Sequence, residues 1–463
     1  MTRTHRASAG AWCAAGLLVA TAAGSQPLTA ERAVQIALQK STSVVNARAA
    51  VVDARGGVYG AYSGVMPRLS ADWSRSGSQV KDQSGTLSFG AATFPATIKN
   101  QERFATTPSL SGSWPVLNLS NLSNLSSARS GLKASQLSLE AARSDVALET
   151  RRRFYNAVSA VHLAGVADAA VKLSRDDERR VRALFEVGSV SRSDLLRAQV
   201  RTASSQLDSI TARVDVVNQR IGLAEILAMP EGQLGEVDTA LTAESREFDE
   251  GAVLEEAAKR RPDIQAAEAE LRSAKAGLTA ARLARLPYVT VSGSASFDTK
   301  ASVSTTGPTV RPVSGTDPTL VVVDTTTSSA TSTDRGLSGQ VALTWDLFTG
   351  FQTESRIAQA RARVLRAEES RNALRRGLEG EAHQAMVAYR EAIGREQLAS
   401  TTLESAAENL KLTQQKYNVG STTILELIDS QVSLTRAAAT RVQALAAIRM
   451  AEAQLNRVRG RIE

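Results

Sequence analysis

The chain has 463 residues and a formal net charge of +8, and its 43% apolar content includes only four Trp, six Tyr and nine Phe. This composition favours long helices packed through small side chains over a compact β-sandwich. Three His and one Cys are too few for a zinc site, a thiol nucleophile or a disulfide framework, so we expect no catalytic residue, no metal ligand and no cofactor.

Residues 1–24 have the pattern of a secretory signal peptide. Two arginines precede an uncharged stretch that ends in small residues, as a cleavage site requires. Cleavage would remove Cys13, the only cysteine. A lipid anchor on Cys13 is the alternative, but Trp12 stands where a lipoprotein signal has a small residue.

The rest of the chain reads as two copies of one plan, 25–240 and 241–463. The segments FEVGSVSRSDLLRAQV and YNVGSTTILELIDSQV place Gly188 and Gly420 at an offset of 232 residues. Each copy is predicted to run helix, strand, long loop, strand, very long helix, turn, helix. The glycines should end a helix in the left-handed conformation, with Ser191 or Ser421 capping the next helix.

The helix predictions follow from the positions of the prolines. Proline is absent from 116–229 and from 319 to the end, so each copy can hold a very long helix. The one over 351–419 would measure about 100 Å at 1.5 Å per residue. Shorter helices are predicted over 28–64, 191–229, 253–285 and 423–462.

Four short segments alternate between apolar and small polar residues, which predicts strands near 67–77, 109–117, 287–297 and 338–348. No uncharged apolar run of 18 residues follows the signal, so a membrane location would require these strands. Lipid on the apolar face and water on the polar face fit the pattern, with Trp73, Trp114 and Trp345 at the membrane interface. The Ser- and Thr-rich segments 77–108 and 298–336 are predicted extracellular loops.

Four strands cannot close a barrel, and open strand edges are not tolerated in lipid, so several chains would have to share one barrel. The alternative from another class is a secreted structural coiled-coil protein with a polar insertion. Basic residues are interspersed with acids along the predicted helices, which argues against nucleic-acid binding.

The chain resembles the TolC-like outer-membrane efflux and secretion channels, or outer membrane factors. The resemblance rests on the two VGS turns and on the segments LTAERAVQIALQKS, RRPDIQAAEAELRSAKAGLTAARLARLPYVTVSGS and WDLFTG. It implies a mainly α fold with a membrane β-barrel. In that fold a homotrimer shares a 12-stranded barrel, four strands per chain, in outer-membrane lipid, and long antiparallel helices form a periplasmic α-barrel.

The resemblance also implies a function. The protein would be a passive exit duct and no enzyme, coupled through a periplasmic adaptor protein to an inner-membrane transporter. We expect efflux of drugs or other small toxic compounds, with type I protein secretion as the alternative.

Family members implicate particular residues at the helical hairpin turns. The adaptor-contacting tips correspond to Val187, Gly188, Ser189, Val419, Gly420 and Ser421. The periplasmic gate corresponds to Glu426 and Asp429, although acids near a helix N-terminus are also favoured by the macrodipole alone. A lock between hairpins corresponds to Asp194 and Tyr417, but Thr422 replaces its arginine, for which Arg192 could substitute.

Overall fold

The computed structural model describes residues 27–80, 83–89, 92–242, 247–306, 309–312, 320–323 and 326–461. The predicted signal peptide lies outside these residues. The chain divides into two compact units, each assembled from separate segments. The first unit comprises Met1–Val45, Arg143–Glu256 and Glu381–Glu463, and the second comprises Asn46–Ala142 and Ala257–Gly380.

Helices account for most of the described chain, and two of them are very long, as the proline-free stretches predict. The helices are α1 (Ala30–Lys40), α2 (Thr42–Tyr62), α3 (Leu119–Glu186), α4 (Arg192–Ile226), α5 (Glu250–Arg260), α6 (Pro262–Leu283), α7 (Gln352–Asn418) and α8 (Ile424–Val458). α3 has 68 residues and α7 has 67.

Two of the predicted helices are each broken once, so their continuity was wrongly predicted. The segment 253–285 breaks at Arg261, because Pro262 lacks an N–H and can begin a helix but not continue one. The segment 28–64 breaks at the equivalent position, Ser41, where the backbone turns extended at ψ 131°. The two repeats therefore share this break although only one contains a proline there.

The strands are β1 (Arg68–Val80), β2 (Gln83–Phe89), β3 (Ala92–Leu117), β4 (Tyr288–Thr306), β5 (Thr309–Pro312), β6 (Leu320–Val323) and β7 (Thr326–Thr344). The main sheet is antiparallel in the order β1–β3–β4–β7, and β2 extends it by pairing with β3. β5 pairs with β6 in a separate small sheet. The sheet belongs to the second unit.

The strands extend far into 77–108 and 298–336, so the prediction that these segments are loops was wrong for most of their described residues. β4 and β7 remain paired from Tyr288–Thr344 to Thr306–Thr326. Each predicted strand ended where apolar residues stop alternating with polar ones, whereas the backbone hydrogen bonds of the sheet continue through the Ser and Thr residues that follow. At the other end, β7 stops at Thr344 instead of 348, so Trp345 lies just beyond it.

The two faces of this sheet differ in chemistry. Large apolar side chains such as Leu69, Val341 and Leu337, which is 90% exposed, project from one face. The other face carries serine pairs that hydrogen-bond across neighbouring strands. These pairs are Ser70–Ser111 at 2.7 Å, Ser294–Ser338 at 2.8 Å and Ser304–Ser328 at 2.8 Å.

By length and composition alone, one helix of the described residues, α3, includes a stretch apolar enough to cross a membrane, with mean hydropathy 1.3. The criterion applied to the sequence, an uncharged apolar run of 18 residues, was stricter. The longest uncharged run in α3 is 154–167, which is shorter than this. A run of that length is typical of a packed helix. Ala157 and Val158 within it are buried.

In the first unit, four helices lie side by side in the order α4, α3, α8, α7. The contacts that define this order are Thr202 Oγ1 donating to Ser174 O at 3.2 Å, Gln431 Nε2 donating to the Asp177 carboxylate, and Arg441 pairing with Glu396 at 3.9 Å. The α3–α4 contact is made by small residues of α4, which allow the helices to approach closely. Those residues, all buried, are Ala198, Thr202, Ser205 and Ser209.

Candidate functional site

The two helical hairpin turns of the first unit have the same backbone structure. Gly188 and Gly420 adopt φ of +76° and +75°, so the prediction of left-handed glycines is confirmed. After α3, Ser189 N–H donates to Leu184 O at 2.8 Å. After α7, Ser421 N–H donates to Lys416 O at 2.9 Å. Each turn is therefore a Schellman motif that satisfies the last carbonyls of its helix.

The helix after each turn begins with a side-chain cap. Ser191 caps α4, and its hydroxyl and the Asp194 carboxylate complete a capping box. Thr423 caps α8 by accepting from Glu426 N–H at 3.4 Å, so the prediction that Ser421 caps this helix was wrong. Ser421 belongs to the Schellman motif instead, and its hydroxyl donates to Lys416 O at 3.1 Å.

Beneath the turns, the hairpins share a small apolar cluster. Its buried members are Val181, Ala198 and Ile424, and the partly buried Tyr417 packs against them. Burial is the main cause that raises the pKa of Tyr417, and the charges of Asp194 and then Asp177 add to it. Tyr417 and Asp194 therefore lie in one region of the first unit.

Tyr417 and Asp194 are not hydrogen-bonded to each other within the described part of one chain. Among the described residues, the buried Tyr417 hydroxyl has no hydrogen-bond partner. The Asp194 carboxylate accepts from the Ser191 hydroxyl at 2.7 Å and from its N–H at 3.3 Å. Within a single chain, Asp194 thus completes the capping box of α4 and leaves the tyrosine unpaired.

A buried polar contact near the turns was missed by sequence analysis. The Asp177 carboxylate, 9% exposed, accepts from Gln431 Nε2 and from Arg180 Nη1, the latter at 3.1 Å. Burial raises the pKa of Asp177, and Arg180 opposes the rise. The repeat alignment matched Gln431 with Gln199, but the pairing with α3 spans 254 residues and no local pattern could indicate it.

The proposed gate acids lie in the first two turns of α8. Glu426 and Asp429 are both exposed, and their spacing of three places them on one helix face. The Glu426 carboxylate accepts a hydrogen bond from the Thr422 hydroxyl. Thr422, which stands where the resemblance predicts a lock arginine, is therefore engaged locally with one of these acids.

The tips of the hairpins expose apolar side chains to solvent. Val187 is 74% exposed and Val419 is 78% exposed. Gly188, Ser189, Gly420 and Ser421 are exposed as well. The two equivalent turns thus present the same small surface, one valine beside a glycine and a serine.

The three tryptophans lie in the second unit, on or next to the sheet, and are exposed. Trp114 Nε1 donates to Val65 O at 3.1 Å, and Trp345 Nε1 donates to Arg285 O at 3.1 Å. These two contacts are equivalent in the repeats. Trp73 pairs with Pro108 in the register of β1 and β3.

A model of the outer membrane efflux protein family matches residues 33–229 and 253–461. A search of curated proteins found no match.

Three of the similar solved structures are outer membrane proteins. They are the CmeC outer membrane channel of Campylobacter jejuni (18% identity, TM-score 0.72, 93% of this chain and 85% of that chain), VceC of Vibrio cholerae (17%, 0.72, 94% and 97%) and the MtrE outer membrane channel of Neisseria gonorrhoeae (19%, 0.69, 93% and 89%). At these identities the likeness shows the fold.

The fold similarity extends over nearly the full length of all three structures, and the family match covers most of both repeats. The predicted family, fold class and outer-membrane location are confirmed. On these grounds the chain belongs to the outer membrane efflux protein family.

Proposed function

We propose that three copies of this chain form the outer-membrane exit duct of a tripartite efflux pump. The duct passively conducts small toxic compounds that an inner-membrane transporter delivers through a periplasmic adaptor. The chain itself performs no chemistry. The family match supports an efflux channel of the outer membrane.

The observation that carries this proposal is the open sheet of the second unit. Its order leaves β1 and β7 as edges, and its apolar face is exposed. Unpaired backbone groups at such edges are too costly in lipid, so the edges must pair with other copies. Three copies bring twelve long strands, and the serine face then lines the water-filled interior.

The gate proposal concerns the turns of the second repeat. A threefold axis beside α8 would bring six carboxylates together, from Glu426 and Asp429 of each copy. Two unit charges about 6 Å apart repel by about 1 to 3 kcal/mol at effective dielectrics between that of water and 20. Such a ring would attract divalent cations. Because its carboxylates repel one another, the entrance would stay narrow only while neighbouring contacts hold the helices together.

The adaptor proposal concerns the tips. Val187 and Val419 expose apolar surface on rigid turns, which suits contact with a partner protein more than contact with water. The flanking Gly188, Ser189, Gly420 and Ser421 carry no bulky side chain that would keep a partner away.

The proposal is tested by location, assembly and conductance. The full chain, expressed with its own N-terminal segment, should appear in the outer-membrane fraction as a trimer and should form ion-conducting pores in planar lipid bilayers. Deleting its gene should sensitise cells to small toxic compounds. A water-soluble single chain released to the medium would contradict the duct and favour the structural coiled coil. Loss of one exported protein without such sensitisation would favour type I secretion.

A further inference from the structure

Two arginines follow the apolar side chains on the apolar face of the main sheet. Side chains alternate between the two faces of a strand, and the cross-strand serine pairs mark the polar face. The residues of the apolar face, taken from the end of the sheet that adjoins the helices, are Leu69, Ala71, Trp73 and Arg75 on β1 and Leu343, Val341, Gly339, Leu337 and Arg335 on β7. Both edge strands therefore carry an arginine directly after their apolar series.

The arginines lie toward the outward end of the sheet. β1 follows α2 and β7 leads into α7, so the periplasmic helices adjoin the opposite end. Leu343 and Arg335 are eight residues apart on β7, which is about 27 Å along the strand and about 20 Å in height at the usual tilt of a membrane strand. The exposed Trp345 just beyond β7 adds apolar surface at the inner end. Since the apolar band of a membrane barrel is about 25 Å tall, Arg335 lies near the outer interface.

The surroundings of the arginines are rich in hydroxyl groups and poor in acids. The row of the sheet register that contains Arg75 continues through Thr106, Thr299 and Thr333. Among the described side chains on this face of the four long strands, the one acid is Glu102. Its carboxylate accepts a hydrogen bond from Gln79 Nε2 at 2.8 Å, four residues beyond Arg75. The net charge of this level is therefore positive.

Neither arginine has an anionic partner within the described part of one chain, and both are exposed. The Arg75 guanidinium carbon lies 5.9 Å from the centroid of the Phe104 ring, on the same face. Arg335 stands opposite Phe297 in the register of β4 and β7. An aromatic ring attracts a cation but accepts no conventional hydrogen bond from its five N–H groups. The donors of both guanidinium groups thus remain available.

A charged side chain on the lipid-facing surface is costly at the centre of the bilayer and is tolerated at its interface. The anions that lipid presents at the interface are the phosphate groups of its headgroups. A guanidinium group binds phosphate through two parallel N–H···O hydrogen bonds, which a single point charge cannot do. Arginine is therefore the residue type that suits phosphate at this level.

We propose that Arg75 and Arg335 bind the phosphate groups of lipid A, the phosphorylated glycolipid of the outer leaflet. This inference rests on the proposed duct, because it requires the apolar face to contact lipid. The arginines supply charge complementarity, and the hydroxyls of Thr106, Thr299 and Thr333 supply further hydrogen bonds to headgroup oxygens. The outer surface of the barrel would thus bind this lipid specifically, beyond burying its apolar side chains in hydrocarbon.

Lipid A with two phosphate groups and its fully dephosphorylated form are matched ligands for a test. Titration of the detergent-solubilised trimer, followed by native mass spectrometry, should show at least tenfold tighter binding of the phosphorylated form. Combining Arg75→Gln with Arg335→Gln should weaken that binding about 25-fold, or about fivefold for each arginine. The control is Arg103→Gln, which removes an exposed arginine from the polar face near the same end of the sheet and should leave binding unchanged.

The heat stability of the trimer provides a second measurement. A ligand that binds the assembled form stabilises it, so phosphorylated lipid A should raise the temperature at which the trimer dissociates on gels, and the double variant should abolish this rise. Equal binding of the two lipid forms by the unmodified chain, or an equal loss in Arg103→Gln, overturns this inference and leaves the duct intact. The lipid comparison needs no variant, so it decides even if the double variant fails to assemble. An unmodified chain that forms no oligomer overturns the duct itself.

Discussion

At the scale of single residues, Gly188 and Gly420 hold backbone conformations that other residues rarely adopt. A Cβ on either would meet no atom within 4 Å, so a substitution changes only the conformational energy. We expect Gly188→Ala to lower the free energy of unfolding by about 1 to 2 kcal/mol per chain. Denaturant unfolding of the detergent-solubilised protein measures this change.

Gly165 provides the matched control for that substitution. It lies inside α3, and a Cβ there also meets open space. Alanine is favoured over glycine in a helix interior, so Gly165→Ala should stabilise by up to about 1 kcal/mol. Equal effects of the two alanines would contradict the role assigned to the left-handed turn.

Asp168 connects α3 to α4 through side-chain contacts. Its carboxylate accepts from the Ser209 hydroxyl at 2.6 Å and from Arg213 at 3.0 Å, and these hydrogen bonds lower its pKa. A lowered pKa stabilises the fold at neutral pH and loses this effect as pH falls through the folded-state value. Asp168→Asn should therefore lower Tm at pH 7, and the difference should shrink below the ordinary pKa of 3.8.

The control for Asp168 is Asp176→Asn. Asp176 pairs with Arg179 three residues along the same helix, with side chains 42% and 79% exposed, so its loss breaks no contact between helices and this pair contributes little. Tm profiles from pH 2 to 7 that are the same for both variants would argue against the contact between α3 and α4.

At the scale of elements, the first turn of α4 depends on its cap. Ser191→Ala removes the hydroxyl that accepts from Asp194 N–H at 3.1 Å, and we expect a loss of about 1 kcal/mol in unfolding free energy. Ser193→Ala, two residues later and also exposed, should change stability much less. If the two substitutions had equal effects, the cap would not stabilise α4.

Elements with local signals were predicted well from the sequence. The repeated VGS turns correctly predicted both left-handed glycines, because this backbone conformation depends on the glycine itself. The offset of the repeats also pairs Thr423 with Ser191, so the correct cap of α8 was contained in the duplication. Strand ends were predicted less well, since backbone pairing continues where the apolar pattern stops.

Contacts between distant segments had no sequence signal. The Gln431–Asp177 hydrogen bond depends on how α8 packs on α3, and neither residue type is unusual in a helix. The break at Ser41 likewise has no proline to indicate it. In the sequence it could be predicted only from its equivalence to Arg261 in the other repeat. Packing between helices decides the first of these features.

At the scale of the whole molecule, the proposed acidic ring makes a prediction about conductance. Neutralising both acids, with Glu426→Gln and Asp429→Asn, should weaken block of the pore by divalent cations, because the carboxylates attract those ions. Glu404→Gln, an exposed acid on α7, is the control. Unchanged block in bilayer recordings of the double variant would refute the gate.

The unpaired hydroxyl of Tyr417 allows a test of the lock between hairpins. Since it has no partner within the described part of one chain, Tyr417→Phe should leave the stability of that chain nearly unchanged. If a neighbouring copy supplies the partner, the same variant should increase single-channel conductance. Wild-type conductance of the variant would exclude Tyr417 from the lock. Asp194→Ala could not test the lock so cleanly, because Asp194 also belongs to the capping box of α4.

The serine pairs on the polar face of the sheet determine which groups a transported solute would contact on the inner wall of the barrel. Hydroxyls that already bond to each other, such as Ser70–Ser111 and Ser294–Ser338, offer a travelling solute few strong places to bind. They also carry no net charge. A solute of either sign would therefore meet no charge at these pairs, and discrimination would be left to charged residues elsewhere on this face, such as Lys300 and Asp334, to the entrance and to the machinery that loads it.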